Sequence, residues 1–79
     1  MTKKEGQEQI KMRQVIIYPG EDGYWVAECP NLPGCISQGM SKEGAIFNIK
    51  EAIEGYINAL KEDNLAIQEE RFEALIVAV

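Results

Sequence analysis

The chain has 79 residues, a hydrophobic fraction of 46% and a formal net charge of −5 at pH 7. This hydrophobic fraction excludes a disordered chain, and the length allows one small domain that buries only about 60–65% of its unfolded surface. Eight Lys and Arg stand against thirteen Asp and Glu. Nucleic-acid affinity depends largely on Lys and Arg neutralising phosphates, so we expect no nucleic-acid binding. The acidic balance either suits a basic protein partner or simply keeps a small protein in solution.

The first ten residues are polar, and no apolar run approaches the roughly 18 residues that a membrane helix requires. We therefore predict no signal peptide, no membrane association and a cytoplasmic location, with a flexible N-terminus over residues 1–10 and a single domain over residues 11–79. Cys29 and Cys35 flank a proline-rich turn, where a disulfide is conceivable but disfavoured in a reducing compartment. Two cysteines and no histidine cannot complete a four-ligand zinc site within one chain, so we expect neither metal nor cofactor.

Three short strands are predicted in the first half of the chain. Alternating and β-branched residues indicate a strand over residues 11–18, and two further strands follow over residues 24–29 and 35–39. Turn-forming residues separate them, Pro-Gly-Glu-Asp-Gly at 19–23 and Pro-Asn-Leu-Pro-Gly at 30–34. Because connections this short cannot form crossovers, the three strands are expected to make an antiparallel meander.

One long amphipathic helix is predicted over residues 42–62. Ser41 is its expected N-cap, and Asn64 can take the left-handed conformation that often ends a helix. Apolar residues recur at the spacing of a helix with one buried face: Ala45, Ile46, Ile49, Ala52, Ile53, Tyr56, Ile57 and Leu60. Gly44 and Gly55 each weaken the helix by about 1 kcal/mol relative to Ala, and a close backbone approach would explain Gly55.

A final strand is predicted over residues 72–79, which are nearly all apolar and suit a strand buried on both faces or lying at an interface. The predicted fold class is α+β in the order β-β-β-α-β, an antiparallel meander plus one parallel strand, with one helix packed on one face of the sheet. One helix leaves the other sheet face uncovered, although both faces carry apolar residues. We therefore expect a homo-oligomer, at least a dimer, that buries the uncovered face.

The sequence from Tyr24 to Gly39, which contains Pro-Asn-Leu-Pro-Gly-Cys, resembles the signature of HicB-like proteins. The helix start Ser41-Lys-Glu-Gly-Ala45 and the segment from Asn48 to Ile57 resemble the helix that follows in that family. The resemblance implies a partial ribonuclease-H-like fold with strand order 3-2-1-4 and assembly into dimers or tetramers. It also implies, for many members, an antitoxin role in which the HicB protein binds and blocks HicA, a small basic toxin that cleaves mRNA.

The sequence departs from the family pattern in three places. Full-length antitoxins usually carry a C-terminal DNA-binding domain, and we expect a short member without one. Asn31 stands where the motif usually has Asp, and Gly44 stands where Glu would complete a capping box with Ser41. We expect these two substitutions to change contacts with a toxin and to leave the fold intact.

Catalysis is not expected. A ribonuclease-H-like nuclease needs carboxylates that converge on two metal ions, one of them from the middle of the first strand, and the predicted first strand contains no acid. Glu28 and Glu73 are isolated strand positions, more simply solvated edges. Without histidine, the serines and cysteines lack the usual base that activates a nucleophile. We therefore predict a protein that is not an enzyme.

Contact with a partner or a second copy is expected from apolar and turn residues. Trp25 either packs under the helix or anchors an interface, and Leu32 either plugs the end of the sheet or contacts a partner. The candidate contact residues are Tyr24, Trp25, Asn31, Leu32, Pro33, Phe72, Leu75 and Val77.

Two functions remain open from the sequence. The leading hypothesis is a HicB-like antitoxin, or an antitoxin-derived protein, that binds and sterically blocks a small HicA-like mRNA-cleaving toxin. The alternative is a stand-alone homo-oligomeric HicB-like domain with a structural or ligand-binding role and no toxin partner. A small basic reading frame beside the gene would favour the first hypothesis.

Overall fold

The computed structural model describes residues 12–67 and 75–79. The regular elements in these residues are three strands and one helix: β1 (Ile16–Pro19), β2 (Trp25–Glu28), β3 (Ile36–Gly39) and α1 (Lys42–Glu62). A short 3-10 turn at Glu21–Gly23 joins the first two strands. The class is therefore α+β, as predicted. The expected flexible N-terminus at 1–10 lies outside the described residues, as does the predicted strand start at residue 11.

The three strands form the predicted antiparallel meander in the order β1-β2-β3. The first strand is shorter than predicted, because it begins at Ile16, whose partner Glu28 is the last residue of β2. Beyond that pair the segment that follows β2 turns away from β1, because the Cys29 carbonyl accepts a hydrogen bond from the Leu32 amide at 3.0 Å. Residues 12–15 therefore have no regular structure, although their sequence suits a strand.

The helix begins and ends where its sequence signals place it. The Ser41 hydroxyl accepts a hydrogen bond from the Gly44 amide at 3.0 Å, which caps the first turn. At the other end Asn64 adopts the left-handed conformation, with φ of 58°. The Asn64 and Leu65 amides then donate to the Lys61 and Leu60 carbonyls, a Schellman closure. Within residues 12–67 and 75–79 no helix is long and apolar enough to cross a membrane.

Helix α1 packs on one face of the sheet, as predicted. The buried core residues come from the strands, the proline-rich turn and the helix: Ala27, Cys29, Leu32, Cys35, Ala45 and Ile49. The approach is closest where β3 passes into α1, because a Cβ at Gly39 would lie 2.5 Å from the Ala45 backbone nitrogen. Nearby, the Asn48 side-chain amide donates to the Gln38 carbonyl at 2.8 Å and ties the helix to the sheet. The sheet face opposite the helix is left without a covering element of regular structure among the described residues.

The predicted fourth strand is not confirmed. Residues 75–79 have no regular secondary structure, and Leu75, Ile76, Val77 and Val79 are largely exposed. Phe72 and the rest of the predicted strand up to residue 74 lie outside the described residues. An apolar run forms a strand only where it pairs with the edge of a sheet, and the sheet of the described residues has three strands. The parallel pairing and the ribonuclease-H-like strand order therefore remain predictions.

Candidate interaction site on the open face of the sheet

Strand register sorts the side chains of the meander into two faces. Side chains alternate along a strand, so the residues next to Ala27, Ile17 and Trp25 point away from the helix. We call this side the open face. It is formed by Ile16, Tyr18, Tyr24, Val26, Glu28, Ile36 and Gln38, with Glu21 and Asp22 of the 3-10 turn at one end.

The open face exposes large apolar groups in rows across the strands. Ile16 and Ile36 flank Glu28 on either side, and they are 46% and 54% exposed. Tyr18 lies in the next row beside Val26, and its hydroxyl is 3.4 Å from a Glu28 carboxylate oxygen. Isolated exposed apolar residues are ordinary, but several exposed apolar side chains that share one face of a sheet are typical of an interaction surface.

The charge of the open face has one sign. Glu21, Asp22 and Glu28 are acidic, and none of the residues that form this face is Lys or Arg. At the end of the face near the 3-10 turn, an open depression is lined by Gly20, Glu21, Asp22, Tyr24, Val26 and Gln38. The depression thus has acidic groups at its rim and an aromatic ring in its wall. Such a surface complements a basic protein that carries apolar anchors of its own.

Hydrogen bonds hold the proline-rich turn in place at one end of the sheet. The Cys29 amide donates to the Cys35 carbonyl at 3.0 Å, and the Cys35 amide donates to the Leu32 carbonyl at 2.9 Å. The Tyr56 hydroxyl on the helix donates to the Pro33 carbonyl at 3.0 Å, which fixes the turn against α1. Gly34 completes the turn with φ of 82°, a conformation that favours glycine.

Leu32 is a core residue and not a surface contact. None of its surface is exposed, and it belongs to the same buried cluster as Ala27 and Ile49. Of the two roles considered from the sequence, the structure therefore places the Leu32 side chain as the plug at the end of the sheet. Its neighbour Pro33 is exposed, and Asn31 is partly buried with a side-chain nitrogen that has no hydrogen-bond partner among the described residues.

Trp25 also belongs to the helix side. It packs partly buried against the core, and the Lys42 ammonium lies 5.2 Å from the centre of its ring. Tyr24, one residue earlier, lies on the open face. Leu75 and Val77 are exposed outside the sheet, and Phe72 lies outside the described residues. Among the predicted contact residues that the structure describes, Tyr24 and Trp25 thus lie on opposite sides of the sheet.

Ile16, Tyr18 and Ile36 of the open face are not among the contact residues predicted from the sequence. Their signal was present in the alternation of the strands, which puts Ile16 and Tyr18 on the face opposite Val15 and Ile17. The alternation does not say which of the two faces the helix covers. The position of the helix follows from how Gly39 and Ser41 turn the chain back over β2 and β3.

Cys29 and Cys35 are both buried, and no disulfide joins them. Burial raises the pKa of the Cys35 thiol above its ordinary value, because a thiolate would lose hydration there. Among residues 12–67 and 75–79 no three His, Cys, Asp or Glu side chains are grouped so that they could hold a metal ion. The buried thiols thus serve the core as small apolar groups.

The chain matches the family described as HicB_like antitoxin of bacterial toxin-antitoxin system over residues 14–76. It is 49% identical over 63 residues to UPF0150 protein Ta0767 of Thermoplasma acidophilum, a match that covers 80% of this chain and 91% of that protein. A UPF0150 protein of Helicobacter pylori is 53% identical over 51 residues, 65% of this chain and 69% of that protein. UPF0150 protein ssr1765 of Synechocystis is 44% identical over 62 residues, 78% of each chain. No solved structure matches the chain.

The family match spans the meander, the proline-rich turn and the helix, which are the parts that carry the sequence resemblance. The chain therefore belongs to the HicB-like antitoxin family.

Proposed function

We propose that this protein is an antitoxin that binds a small basic mRNA-cleaving toxin of the HicA type and blocks it by covering its RNA-binding surface. The observation that carries the proposal is the open face, where exposed apolar side chains of the first and third strands stand among three carboxylates and none of the residues that form the face is a cation. Family membership supports an antitoxin-type role. Because such a toxin acts on mRNA, we place the antitoxin in the cytoplasm with it.

The proposed inhibition needs no chemistry. A surface that binds RNA must carry Lys and Arg to neutralise phosphates, and an acidic surface competes for those same groups. Glu21, Asp22 and Glu28 would steer the toxin towards the open face, while Ile16 and Ile36 would supply the apolar contact that holds it. Steering by exposed charges weakens with salt, so association should slow as ionic strength rises. The same acidic face disfavours direct binding of nucleic acid by the antitoxin.

The contact region we propose is narrower than the whole meander. Tyr24 stays in it, joined by Ile16, Tyr18 and Ile36, while Leu32 and Trp25 leave it because they pack on the helix side. Pro33 and Asn31 lie at the rim of the proline-rich turn, where the substitution of Asn for the usual Asp removes one negative charge. The exposed apolar residues 75–79 we assign to assembly, in which the predicted strand over 72–79 adds in parallel to the free edge of β1.

The test is whether a small basic protein is encoded beside the gene and binds this chain, measured by titration calorimetry and by rescue of growth. Ile36→Lys places a cation beside Glu28 on the open face and should weaken toxin binding and impair rescue. Phe47→Lys is the matched control, because Phe47 is also exposed but lies on the helix. Both variants must show native circular dichroism.

Two outcomes contradict the proposal in different ways. Equal toxin affinity in Ile36→Lys and wild type would show that the open face is not the contact. If no basic protein encoded beside the gene binds this chain, the alternative of a stand-alone homo-oligomeric domain takes the place of the antitoxin proposal.

A further inference from the structure

The two edge strands of the sheet differ in how they are protected. An edge strand presents unpaired N–H and C=O groups to which another strand can add, and proteins block such edges with proline, charged side chains or a covering segment. Strand β1 ends at Pro19, which has no N–H to offer. Strand β3, the other edge of the described sheet, has the sequence Ile-Ser-Gln-Gly and contains neither proline nor a charge. Nothing in the sequence of β3 itself thus blocks its edge.

The hydrogen-bond register shows which backbone groups of β3 lie on its outer side. The Cys29 amide donates to the Cys35 carbonyl at 3.0 Å, and hydrogen-bonded pairs alternate with non-hydrogen-bonded pairs along an antiparallel ladder. Ser37, two residues after Cys35, therefore bonds to β2. The N–H and C=O groups of Ile36 and Gln38 point away from β2, and these are the groups with which an added strand would pair.

One of these outward groups is already bound by a side chain of the helix. The Asn48 side-chain amide donates to the Gln38 carbonyl at 2.8 Å. A carboxamide has the same donor chemistry as a peptide N–H, so this bond replaces the one that an added strand would make. A neighbouring strand would lie about 4.8 Å from β3, and the Asn48 amide occupies this space beside Gln38.

The close approach of α1 to β3 allows a side chain as short as asparagine to reach the edge. A Cβ at Gly39 would lie 2.5 Å from the Ala45 nitrogen, so the backbones meet where β3 passes into the helix. The close approach expected from the sequence at Gly55 does not occur, because a Cβ there meets no atom within 4 Å among the described residues. The helix is therefore held close to β3 at the end that carries Asn48.

We propose that Asn48 closes the β3 edge of the sheet against the addition of another strand. The edge needs closing because it is uncharged and carries the half-exposed Ile36, and such a strand pairs with other chains and starts aggregation. A strand that joins this sheet, such as the one predicted over residues 72–79, is thereby directed to β1. This role of Asn48 goes beyond the proposed function and is independent of toxin binding at the open face.

The first test separates closing the edge from tying the helix to the sheet. Asn48→Ala and Asn48→Asp both remove the donor, and Asn48→Asp should have an unfolding equilibrium constant about threefold larger than Asn48→Ala, since alanine is the better helix former. Only Asn48→Ala should aggregate, however, because the carboxylate of Asn48→Asp places a charge at the edge. Asn58→Ala, at an exposed asparagine further along the same helix, is the matched control and should stay in solution.

Urea titration measures the stability of these variants, and thioflavin T fluorescence measures their aggregation under conditions where each is folded. If Asn48 only ties the helix to the sheet, aggregation follows stability and Asn48→Asp aggregates at least as fast as Asn48→Ala. That result overturns the proposal, and so does the absence of aggregation in both variants.

The second test uses the wild-type protein and needs no variant to fold. The side-chain amide protons of Asn48 should exchange with solvent about fivefold more slowly than those of Asn58, since one net hydrogen bond protects them. Nuclear magnetic resonance resolves the two side chains in the same sample. Equal exchange rates would show that Asn48 does not hold the Gln38 carbonyl in solution, which would also overturn the proposal.

Discussion

The two faces of the sheet differ in how deeply their side chains are buried. On the covered face Ala27 has no exposed surface, and Ile17 and Trp25 pack partly buried against the same core. On the open face Ile16 and Ile36 remain about half exposed. Apolar surface that stays in contact with water contributes little to the stability of a single chain.

This difference in burial assigns stability to the covered face and recognition to the open face. On the covered face Ile17, Trp25 and Ala27 pack against the core that Leu32 and Ile49 help to fill. On the open face Ile16 and Ile36 contribute little to this core and are exposed to a partner. Substitutions on the covered face should therefore lower the free energy of unfolding, while substitutions on the open face should alter binding alone.

The largest expected effect is that of Leu32→Asp. It places a carboxylate in a site without solvent and removes the group that fills it, which should cost about 3–5 kcal/mol of unfolding free energy. Urea denaturation followed by circular dichroism measures this loss. Ile36→Lys on the open face is the comparison and should change the same quantity by less than about 1 kcal/mol. Similar losses in both variants would show that the two faces do not differ in the way we describe.

Gly39→Ala should have the next largest effect. The new Cβ would lie 2.5 Å from the Ala45 nitrogen and 2.7 Å from the Gly44 carbonyl carbon, and backbone atoms cannot move aside without shifting the helix. We expect a loss of about 1–3 kcal/mol, seen as a lower Tm. Gly55→Ala provides the matched control, since it should raise stability by about 0.5–1 kcal/mol. An unchanged Tm in Gly39→Ala would mean that the helix is not held this close to β3.

The sharpest comparison is between Ile36→Lys and Phe47→Lys, which add the same cation to two exposed apolar sites. Ile36→Lys should weaken toxin binding by about 1–2 kcal/mol, whereas Phe47→Lys should leave toxin binding unchanged. Titration calorimetry on the two variants and the wild type measures the difference, and circular dichroism checks that all three are folded. Equal losses in both variants would mean that toxin binding is not confined to the open face.

These contrasts also show which parts of the structure the sequence predicts. The helix limits follow from local chemistry, because the Ser41 hydroxyl and the left-handed Asn64 act on their own neighbours. The meander follows from short turns that permit no other connection. The roles of Trp25 and Leu32 depend instead on which sheet face the helix covers, so the sequence left both open. The predicted strand over 72–79 rests on apolar composition alone, which does not specify a pairing partner.

A smaller effect is expected at the hydroxyl that joins the helix to the proline-rich turn. Tyr56→Phe removes the 3.0 Å hydrogen bond to the Pro33 carbonyl and should cost about 1 kcal/mol. Tyr18→Phe on the open face removes only a long, exposed contact of 3.4 Å to Glu28 and should cost less. Unfolding titrations of the two variants side by side give the comparison. A larger loss in Tyr18→Phe would place a stabilising contact on the open face.

The smallest expected effect is a pH dependence that belongs to the covered face. Burial raises the pKa of the Cys35 thiol in the folded protein above its unfolded value. The folded state therefore holds this proton more tightly than the unfolded state does. The resulting stabilisation of the folded protein is fully present at neutral pH and is lost as the pH rises above about 8.5. Cys35→Ala lacks this thiol, so subtracting its unfolding free energy from that of wild type cancels the other titrating groups. Wild type should lose stability relative to Cys35→Ala between pH 7 and 10. Alkylation by iodoacetamide at pH 7 should likewise be slow until denaturant is added. Rapid alkylation of Cys35 in the native protein, together with a stability difference that does not vary with pH, would mean that the thiol is accessible and that the helix does not seal this face of the sheet.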